Sequence, residues 1–254
     1  MNYGLYLSAA GVMASSYRQD AIANNLANSE TVGFKRDLPL FHERLTAAQE
    51  LRDKSRFSNP MLDRIGGGIL AAPTGIDLDQ GSLENTGTPL DVAIEGSGYF
   101  AVSDKGQTRL TRDGRFKTNQ AGTLVMANEF EQPVLDANQK PITLDQSRTT
   151  TIAEDGTISQ DGIPVARLAT YDVPDPARLV KKGAALYDYP DLDNSIKLSF
   201  SKTHSGFVER ANVDPATELS ALMDAQRQLE ANANMIRYQD QTLAKLVNEV
   251  GRIG

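Results

Sequence analysis

The stretch that decides the fold runs from Pro215 to Val250 and reads PATELSALMDAQRQLEANANMIRYQDQTLAKLVNEV. Ten of its positions alternate three and four residues apart, and eight of the ten are apolar. They are Leu219, Leu222, Gln226, Leu229, Ala233, Ile236, Asp240, Leu243, Val247 and Val250. A repeat of this kind predicts a long helix with an a/d seam, and such a seam needs a helical partner.

The start of this helix is marked by Asp214, a residue that caps helices well, and by Pro215 at the first helical position. Two seam positions, Gln226 and Asp240, are polar. Buried polar residues can fix the register of paired helices. The alternative is that both side chains simply face solvent at the edge of the seam, and the sequence leaves both interpretations open.

The nearest candidate for the partner is the N-terminal region, Asn2 to about Asn28. It contains no proline and is rich in Ala, Ser and Asn. Its larger apolar residues, Leu5, Val12, Ile22 and Leu26, fall on one stripe of a heptad pattern, which predicts a helix with a modest apolar seam. An isolated helix of this kind is marginal in water. We therefore expect both chain ends to be loose until neighbouring subunits cover them.

The middle of the chain, from about Gly75 to Phe207, has the pattern of short strands separated by turns. Leu90, Val92 and Ile94 alternate with polar or small residues, and Gly96-Ser97-Gly98 then turns the chain. Asp-Gly pairs follow, for example Asp161-Gly162, and such pairs between alternating runs favour β-hairpins. The spacing predicts a mainly antiparallel β domain.

These regions together predict an α+β chain whose N- and C-terminal helices pair with each other as a coiled coil. The middle of the sequence is predicted to form a mainly antiparallel β domain. The expected boundaries are residues 1–32 for the first helix, 33–80 for a connector, 81–208 for the β domain and 209–254 for the second helix. Within the connector, residues 50–75 are expected to be irregular.

Composition excludes several functional classes. The chain has 254 residues, a net charge of −7 and a pI near 5.0, so it lacks the basic surface of a nucleic-acid binder. It has no cysteine, and therefore no disulfide, thiol nucleophile or thiolate metal site. No secretory signal and no stretch of about 20 apolar residues is visible, which predicts no membrane insertion. Any export would then use a route that reads no cleaved peptide.

Catalytic motifs are missing from the sequence as well. The only two histidines, His42 and His204, lie far apart and outside any H-E-x-x-H context. No nucleophile elbow, Walker loop or dinucleotide-binding glycine motif is present. We therefore expect no enzyme activity, no cofactor and no metal.

Four segments resemble the bacterial flagellar rod and hook proteins. Ala23-Asn24-Asn25-Leu26-Ala27-Asn28, followed by Thr31 and Gly33-Phe34-Lys35-Arg36, is similar to the N-terminal motif of that family. The stretch from Leu90 to Phe100 resembles its central motif, and Thr111 to Phe116 resembles the segment that follows. Glu218 to Asn248 resembles its terminal helix. The four segments occur in the family's order and span nearly the whole chain.

The resemblance implies a structural subunit of the flagellar basal-body rod, the drive shaft that crosses the periplasm. Members of the family are exported by the flagellar type III apparatus without a cleaved signal and stack helically with copies of themselves and with other rod and hook subunits. Their terminal helices form an inner coiled-coil layer. Length and the short middle fit a rod subunit better than the longer hook protein. The opening, Met1 to Gly11, favours a proximal over a distal rod subunit.

The predicted assembly interface lies on both terminal regions. Its residues are Leu5, Val12, Ile22, Asn24, Asn25, Leu26, Asn28, Gly33, Phe34, Leu219, Leu222, Leu229, Ile236, Leu243 and Val247. Other interpretations stay open for some of them: the asparagines can simply cap a helix end, and Phe34 can be ordinary core. Lys35 and Arg36 are expected to pair with acidic neighbours.

Three rival functions are weighed against the rod subunit. A hook or hook-like axial subunit would carry a longer outer β insertion. A periplasmic enzyme acting on peptidoglycan would need a catalytic constellation that the sequence lacks. A general coiled-coil adaptor would not need the central β motifs.

Overall fold

Two long α-helices and nineteen short strands make up the part of the chain that the structure describes. The structure is a computed structural model, and it describes residues 3–44, 68–183, 185–190, 197–199 and 201–250. The chain divides into two compact units. We call Met1–Ala27, Asp37–Gly75 and Asp214–Gly254 the helical unit. The remaining segments, Asn28–Arg36 and Ile76–Val213, form the β unit.

The helical unit contains helix α1, Tyr3–Ala27, and helix α2, Pro215–Val250. As the sequence predicts, Asp214 caps α2: its side chain accepts hydrogen bonds from the backbone N–H groups of Ala216 (3.4 Å) and Thr217 (3.3 Å). These bonds, with one from the Thr217 hydroxyl as the strongest cause, lower the pKa of Asp214. A carboxylate at this position also interacts favourably with the positive end of the helix dipole.

Four short strands lie in the region expected to be a connector: β1 (Asp37–Leu38), β2 (Phe41–Glu43), β3 (Ile69–Ala71) and β4 (Gly75–Ile76). Strands β2 and β3 pair antiparallel, with Phe41 opposite Ala71 and Glu43 opposite Ile69. The expectation that residues 50–75 are irregular is therefore wrong at the C-terminal end of that range, where β3 lies. Residues 50–67 of that range lie outside the described residues.

The β unit contains the other strands. They are β5 Leu83–Asn85, β6 Val92–Glu95, β7 Tyr99–Asp104, β8 Gln107–Thr111, β9 Phe116–Thr118, β10 Leu124–Met126, β11 Thr150–Ile152, β12 Thr157–Gln160, β13 Ile163–Arg167, β14 Thr170–Asp172, β15 Val180–Lys181, β16 Leu186–Asp188, β17 Lys197–Leu198, β18 Lys202–Ser205 and β19 Phe207–Glu209. A 3₁₀ turn, Pro176–Arg178, precedes β15.

The largest sheet has six strands in the order β15-β16-β8-β7-β14-β17. A three-stranded sheet joins β11, β12 and β13, and β5–β19, β6–β18 and β9–β10 form separate pairs. The strand pairs in the described β unit are antiparallel. The α+β class and the antiparallel β centre are thus confirmed.

Turn residues explain the hairpins. Asp161 and Gly162, between β12 and β13, have φ angles of 51° and 83°, and Lys105 and Gly106, between β7 and β8, have 51° and 82°. Two consecutive positive φ angles define the type I′ turn, whose twist matches that of a two-stranded ribbon. The Asp-Gly prediction at residues 161–162 is confirmed.

Strand β7 supplies side chains to both hydrophobic cores of the β unit. Phe100 and Val102 belong to one core, while Tyr99 and Ala101 belong to the other. This follows from the two-residue period of a strand, which sends successive side chains to opposite faces. The run Tyr99–Val102 is hydrophobic and buried because both faces of this strand are covered.

Candidate assembly interface

Helix α1 lies antiparallel to helix α2 within the helical unit. A Cβ placed on Gly4 would lie 2.7 Å from the amide nitrogen of Gln239, and one on Gly11 would lie 2.8 Å from that of Asn232. Further along, Arg18 donates a hydrogen bond to the side-chain oxygen Oε1 of Gln228 at 3.3 Å. Positions thus rise along α1 as they fall along α2, and the two glycines face residues that are also seven apart.

The face of α1 that packs closely is made of small and polar residues. Gly4, Ser8, Gly11, Ser15 and Ile22 follow one another at spacings of four, three, four and seven, which places them on one stripe. Ser8, Ser15 and Ile22 are buried. Of the predicted stripe, Ile22 is fully buried, whereas Leu5, Val12 and Leu26 are half-buried.

One of the two predicted columns of seam residues on α2 is half-buried as expected, whereas the other is not. Leu222, Leu229, Ile236 and Leu243 are half-buried, as a seam requires. The second column lies one residue earlier than predicted and consists of Glu218, Ala225, Asn232 and Gln239. In the predicted column Leu219, Gln226, Asp240 and Val247 are exposed, and only Ala233 is half-buried. The side chain of Val250 lies outside the described residues.

The close approach of α1 and α2 explains why the second seam column lies one residue earlier than predicted. Glycine and serine on α1 leave room for the flat amide groups of Asn232 and Gln239, whereas a leucine column would need a deeper cleft. The proposed register role of Gln226 and Asp240 within the chain is therefore not supported, because both side chains face outward. Gln226 donates to the Glu230 carboxylate at 3.2 Å on the helix surface.

Large apolar side chains are left on the outside of the helical unit. Met13 is 73% exposed and Val247 is 71% exposed. The others are Tyr6, Leu7, Leu40, Ile69, Leu70, Leu219, Met223, Met235, Tyr238 and Leu246. Clustered exposed apolar side chains on a protein surface often mark sites of interaction.

The paired strands β2 and β3 pack on another side of α1. The Tyr17 ring meets the Phe41 ring edge-on at 5.9 Å, and the Tyr17 hydroxyl donates to the Ala72 carbonyl oxygen at 2.7 Å. The Arg18 guanidinium lies 5.5 Å from the centre of the Phe41 ring. These aromatic and cation–π contacts hold the described part of the expected connector against the helix.

The asparagines at the end of α1 have different roles. Asn25 is buried, and its amide forms two hydrogen bonds with the Asp37 backbone: Nδ2 donates to the carbonyl oxygen (2.9 Å) and Oδ1 accepts from the N–H (2.7 Å). Asn28 accepts two hydrogen bonds from Thr31, one at its side chain and one at its carbonyl. Asn24 is exposed. The local, helix-ending interpretation thus holds for Asn28.

Gly33 and Phe34 belong to the β unit. Gly33 has a φ of 69°, and a Cβ there would lie 2.5 Å from the backbone of Arg112, so both conformation and space require glycine. Phe34 is buried, and the Lys181 ammonium lies 4.0 Å from the centre of its ring. Phe34 is therefore a core residue of its own chain.

The β unit contains a buried cluster of three charged side chains that the sequence analysis did not predict. Lys35, expected to pair with some acidic neighbour, meets Glu209 at 2.6 Å, and Glu209 also meets Arg112 at 2.9 Å. All three side chains are buried. The only sequence signal was that Lys35 and Arg112 each lie in a motif shared with the family.

Among the residues described, no three acidic or histidine side chains converge as metal ligands would. Neither described helix is apolar enough over its length to cross a membrane.

Known proteins match the chain over its whole length. Flagellar basal-body rod protein FlgF of Caulobacter vibrioides is 32% identical over 100% of both chains. The chain belongs to the flagellar basal-body rod protein family. FlgG of Buchnera aphidicola subsp. Baizongia pistaciae is also 32% identical, over 95% of this chain and 97% of its own, and FlgF of Mesorhizobium japonicum is 30% identical over 99% of both.

Three family models place the rod-family segments along the chain. "Flagella basal body rod protein" matches residues 5–35, "Flagellar hook protein FlgE/F/G D1 domain" matches 93–160, and "Flagellar basal body rod FlgEFG protein C-terminal" matches 204–249. The resemblance read from the sequence is confirmed. This rod-family chain is a structural component of the flagellar basal body that assembles with other rod and hook subunits, and it is not an enzyme.

Proposed function

We propose that this rod-family subunit assembles helically into the drive shaft through the outward apolar surface of its helical unit. The observation that carries the proposal is the distribution of side chains on the two helices. Small and amide side chains fill the contact between α1 and α2, while Met13, Tyr238 and Val247 point outward. The apolar surface is the part that neighbouring subunits would bury.

The occupants of this surface are the terminal helices of other copies and of related rod subunits, packed as a coiled coil in the inner layer of the rod. Burying apolar area contributes about 25 cal/mol per Å², so several side chains of this size supply a substantial driving force. A contact between different faces of successive copies does not close on itself and generates an open helix. The predicted interface residues Leu219 and Val247 are exposed as this model requires.

Position and export follow from the family. We infer that the rod crosses the periplasm, that the subunit passes through the flagellar type III apparatus without losing a signal peptide, and that it occupies the proximal rod. The test is a strain with a disabled flagellar export apparatus, with the N-terminus read by mass spectrometry. Retention of the chain in the cytoplasm with an intact N-terminus supports the inference, and release of a shortened chain contradicts it.

Looseness of the ends in the free monomer stays a prediction. Limited proteolysis of the soluble subunit should cut α1 and α2 before the β unit. Ends as resistant as the β unit would contradict it.

The assembly experiment compares two substitutions at one exposed site. Met235→Glu places a charge on the outward surface, whereas Met235→Leu keeps it apolar. Because the side chain is 52% exposed in the monomer, neither change should alter the circular dichroism of the purified subunit. Basal bodies from cells producing Met235→Glu should lack a complete rod, and those with Met235→Leu should be normal. Complete rods in both strains would show that the outward apolar surface is not part of the assembly contact.

A further inference from the structure

Three charged side chains from distant parts of the chain meet in the interior of the β unit. The Lys35 ammonium lies 2.6 Å from one oxygen of Glu209, and the Arg112 guanidinium lies 2.9 Å from the other. Lys35 and Glu209 are each 1% exposed and Arg112 is 5% exposed. Buried charges are tolerated only when they are paired and hydrogen-bonded, so each of the three depends on the others.

Backbone groups add further hydrogen bonds to this cluster. Lys35 also donates to the carbonyl oxygen of Asp79 at 2.7 Å, and Arg112 donates to that of Gly96 at 2.8 Å. The Gly81 N–H donates to the Glu209 carboxylate at 3.1 Å. Burial lowers the pKa of Lys35, and the Glu209 carboxylate opposes that effect. Glu209 is thus the shared counter-charge for two cations.

The cluster lies where two chain segments run side by side. The first, residues 33–36, leads from α1, and the second, residues 209–212, leads to α2. The Gly33 N–H donates to the Glu209 carbonyl oxygen at 2.8 Å, and the Arg36 N–H donates to the Asn212 side chain at 2.7 Å. A further backbone bond between the segments, from the Asn212 N–H to the Phe34 carbonyl oxygen, is long at 3.4 Å.

We propose that residues 33–36 and 209–212 form one cooperative element of the β unit, which unfolds and refolds locally as a single unit. The Glu209 carboxylate is the group that holds the two segments together. The side chains that meet there are 174 positions apart for Lys35 and Glu209 and 97 apart for Arg112 and Glu209, so no local structure holds them together. The first segment docks only once residue 209 supplies its charge. The two segments that lead to the helices are therefore secured or released together, a property that the proposed assembly does not require.

Amide hydrogen exchange of the full-length chain tests this. In the native subunit the amides of Gly33, Arg36 and Asn212 should share one opening free energy, lower than that of Leu124 and Val134 in the core. Glu209→Gln keeps the shape and removes the charge, and it should speed exchange at all three amides at least tenfold while leaving Leu124 and Val134 unchanged. The control is Glu84→Gln, which removes an exposed ion pair to Arg210, the residue after β19, and should change exchange at none of these amides.

Other outcomes overturn the proposal. Faster exchange at Gly81 alone would show that the carboxylate acts only locally, and equal acceleration of the core amides would show a global loss of stability. If Glu209→Gln fails to fold, the Lys35→Met variant provides the test, because Arg112 and Glu209 remain paired in it. Lys35→Met should speed amide exchange at Gly33 and Asn212 by the same factor. Faster exchange confined to residues 33–36 would contradict the cooperative element.

Discussion

Gly11 on α1 lies directly against the side-chain amide of Asn232 on α2, so close that a Cβ at position 11 would sit 2.8 Å from the amide nitrogen. Gly4 and Gln239 repeat the arrangement seven residues away. Two such contacts at heptad spacing set one register between the helices, because a slip by a single residue would bring side chains against one another.

The first prediction concerns this contact. In an exposed helix interior, replacing glycine by alanine stabilises by about 1 kcal/mol. We expect Gly11→Ala to give that gain only when Asn232 is also changed to alanine, and to give none or a loss when Asn232 is present. Urea unfolding of the two single variants and the double variant measures the coupling. An equal gain in both backgrounds would show that the amide does not limit the space.

A second prediction concerns Asn25, whose amide forms both hydrogen bonds to the Asp37 backbone. Asn25→Ala leaves the N–H and C=O of Asp37 without these partners, and we expect a loss of about 1–3 kcal/mol in the free energy of unfolding. Asn234→Ala, at an exposed position of α2, should cost no more than about 0.5 kcal/mol. Equal losses in the two variants would mean that the bonds to Asp37 contribute nothing.

The third prediction concerns Gly33, which combines a positive φ with a Cβ position 2.5 Å from the Arg112 backbone. Gly87 is its natural control: its φ is also positive, at 70°, but no atom lies within 4 Å of the Cβ position. Gly87→Ala should cost about 1 kcal/mol for backbone strain alone. Gly33→Ala adds a clash with rigid backbone and should cost several times more in thermal or urea unfolding. Similar costs would show that the backbone near Arg112 yields easily.

Alkaline pH provides the fourth prediction. Burial raises the pKa of Tyr99 to about 12, whereas a tyrosine in the unfolded chain titrates near 10. The unfolded state therefore ionises first as the pH rises. The stabilising contribution is fully present below about pH 10 and falls by about 1.4 kcal/mol per pH unit until about pH 12. Tyr99→Phe cannot ionise, so its unfolding free energy should fall less steeply in this window. A residual slope is expected, since burial also raises the pKa of Tyr187, but an unchanged slope would contradict the prediction.

Repetition along the sequence made the helices and the β centre predictable. The Leu222, Leu229, Ile236 and Leu243 column repeats every seven residues and is half-buried as expected. Asp214 and Pro215 mark the start of α2, and Asp161-Gly162 marks a hairpin, because each residue type suits the backbone geometry of its position.

The prediction placed the second seam column of α2 one residue too late because it used only the spacing of apolar residues within that helix. Leu219 looks like a better seam residue than Glu218, yet Glu218 is buried and Leu219 is exposed. What decides the matter is the opposite helix, whose glycines and serines accept amides and leave the large apolar side chains outside. A pattern within one helix carries no information about the shape of its partner.

The Lys35–Glu209–Arg112 cluster was beyond prediction for a different reason. Charged residues on strands and turns are usually exposed, so nothing in the sequence near Glu209 distinguishes it from a surface carboxylate. Its role depends on contacts 97 and 174 positions away, which only the folded topology brings together.

The central claim is that the outward apolar surface of the helical unit becomes buried in the rod, and labelling of an introduced thiol tests it most directly. Because the chain has no cysteine, Met13→Cys and Val247→Cys each provide a single reactive site. Maleimide should label both variants rapidly in the free subunit and in denatured basal bodies, but at least tenfold more slowly in intact basal bodies from motile cells. Labelling in intact basal bodies as fast as in the free subunit would show that this surface faces solvent in the rod, and would contradict the account.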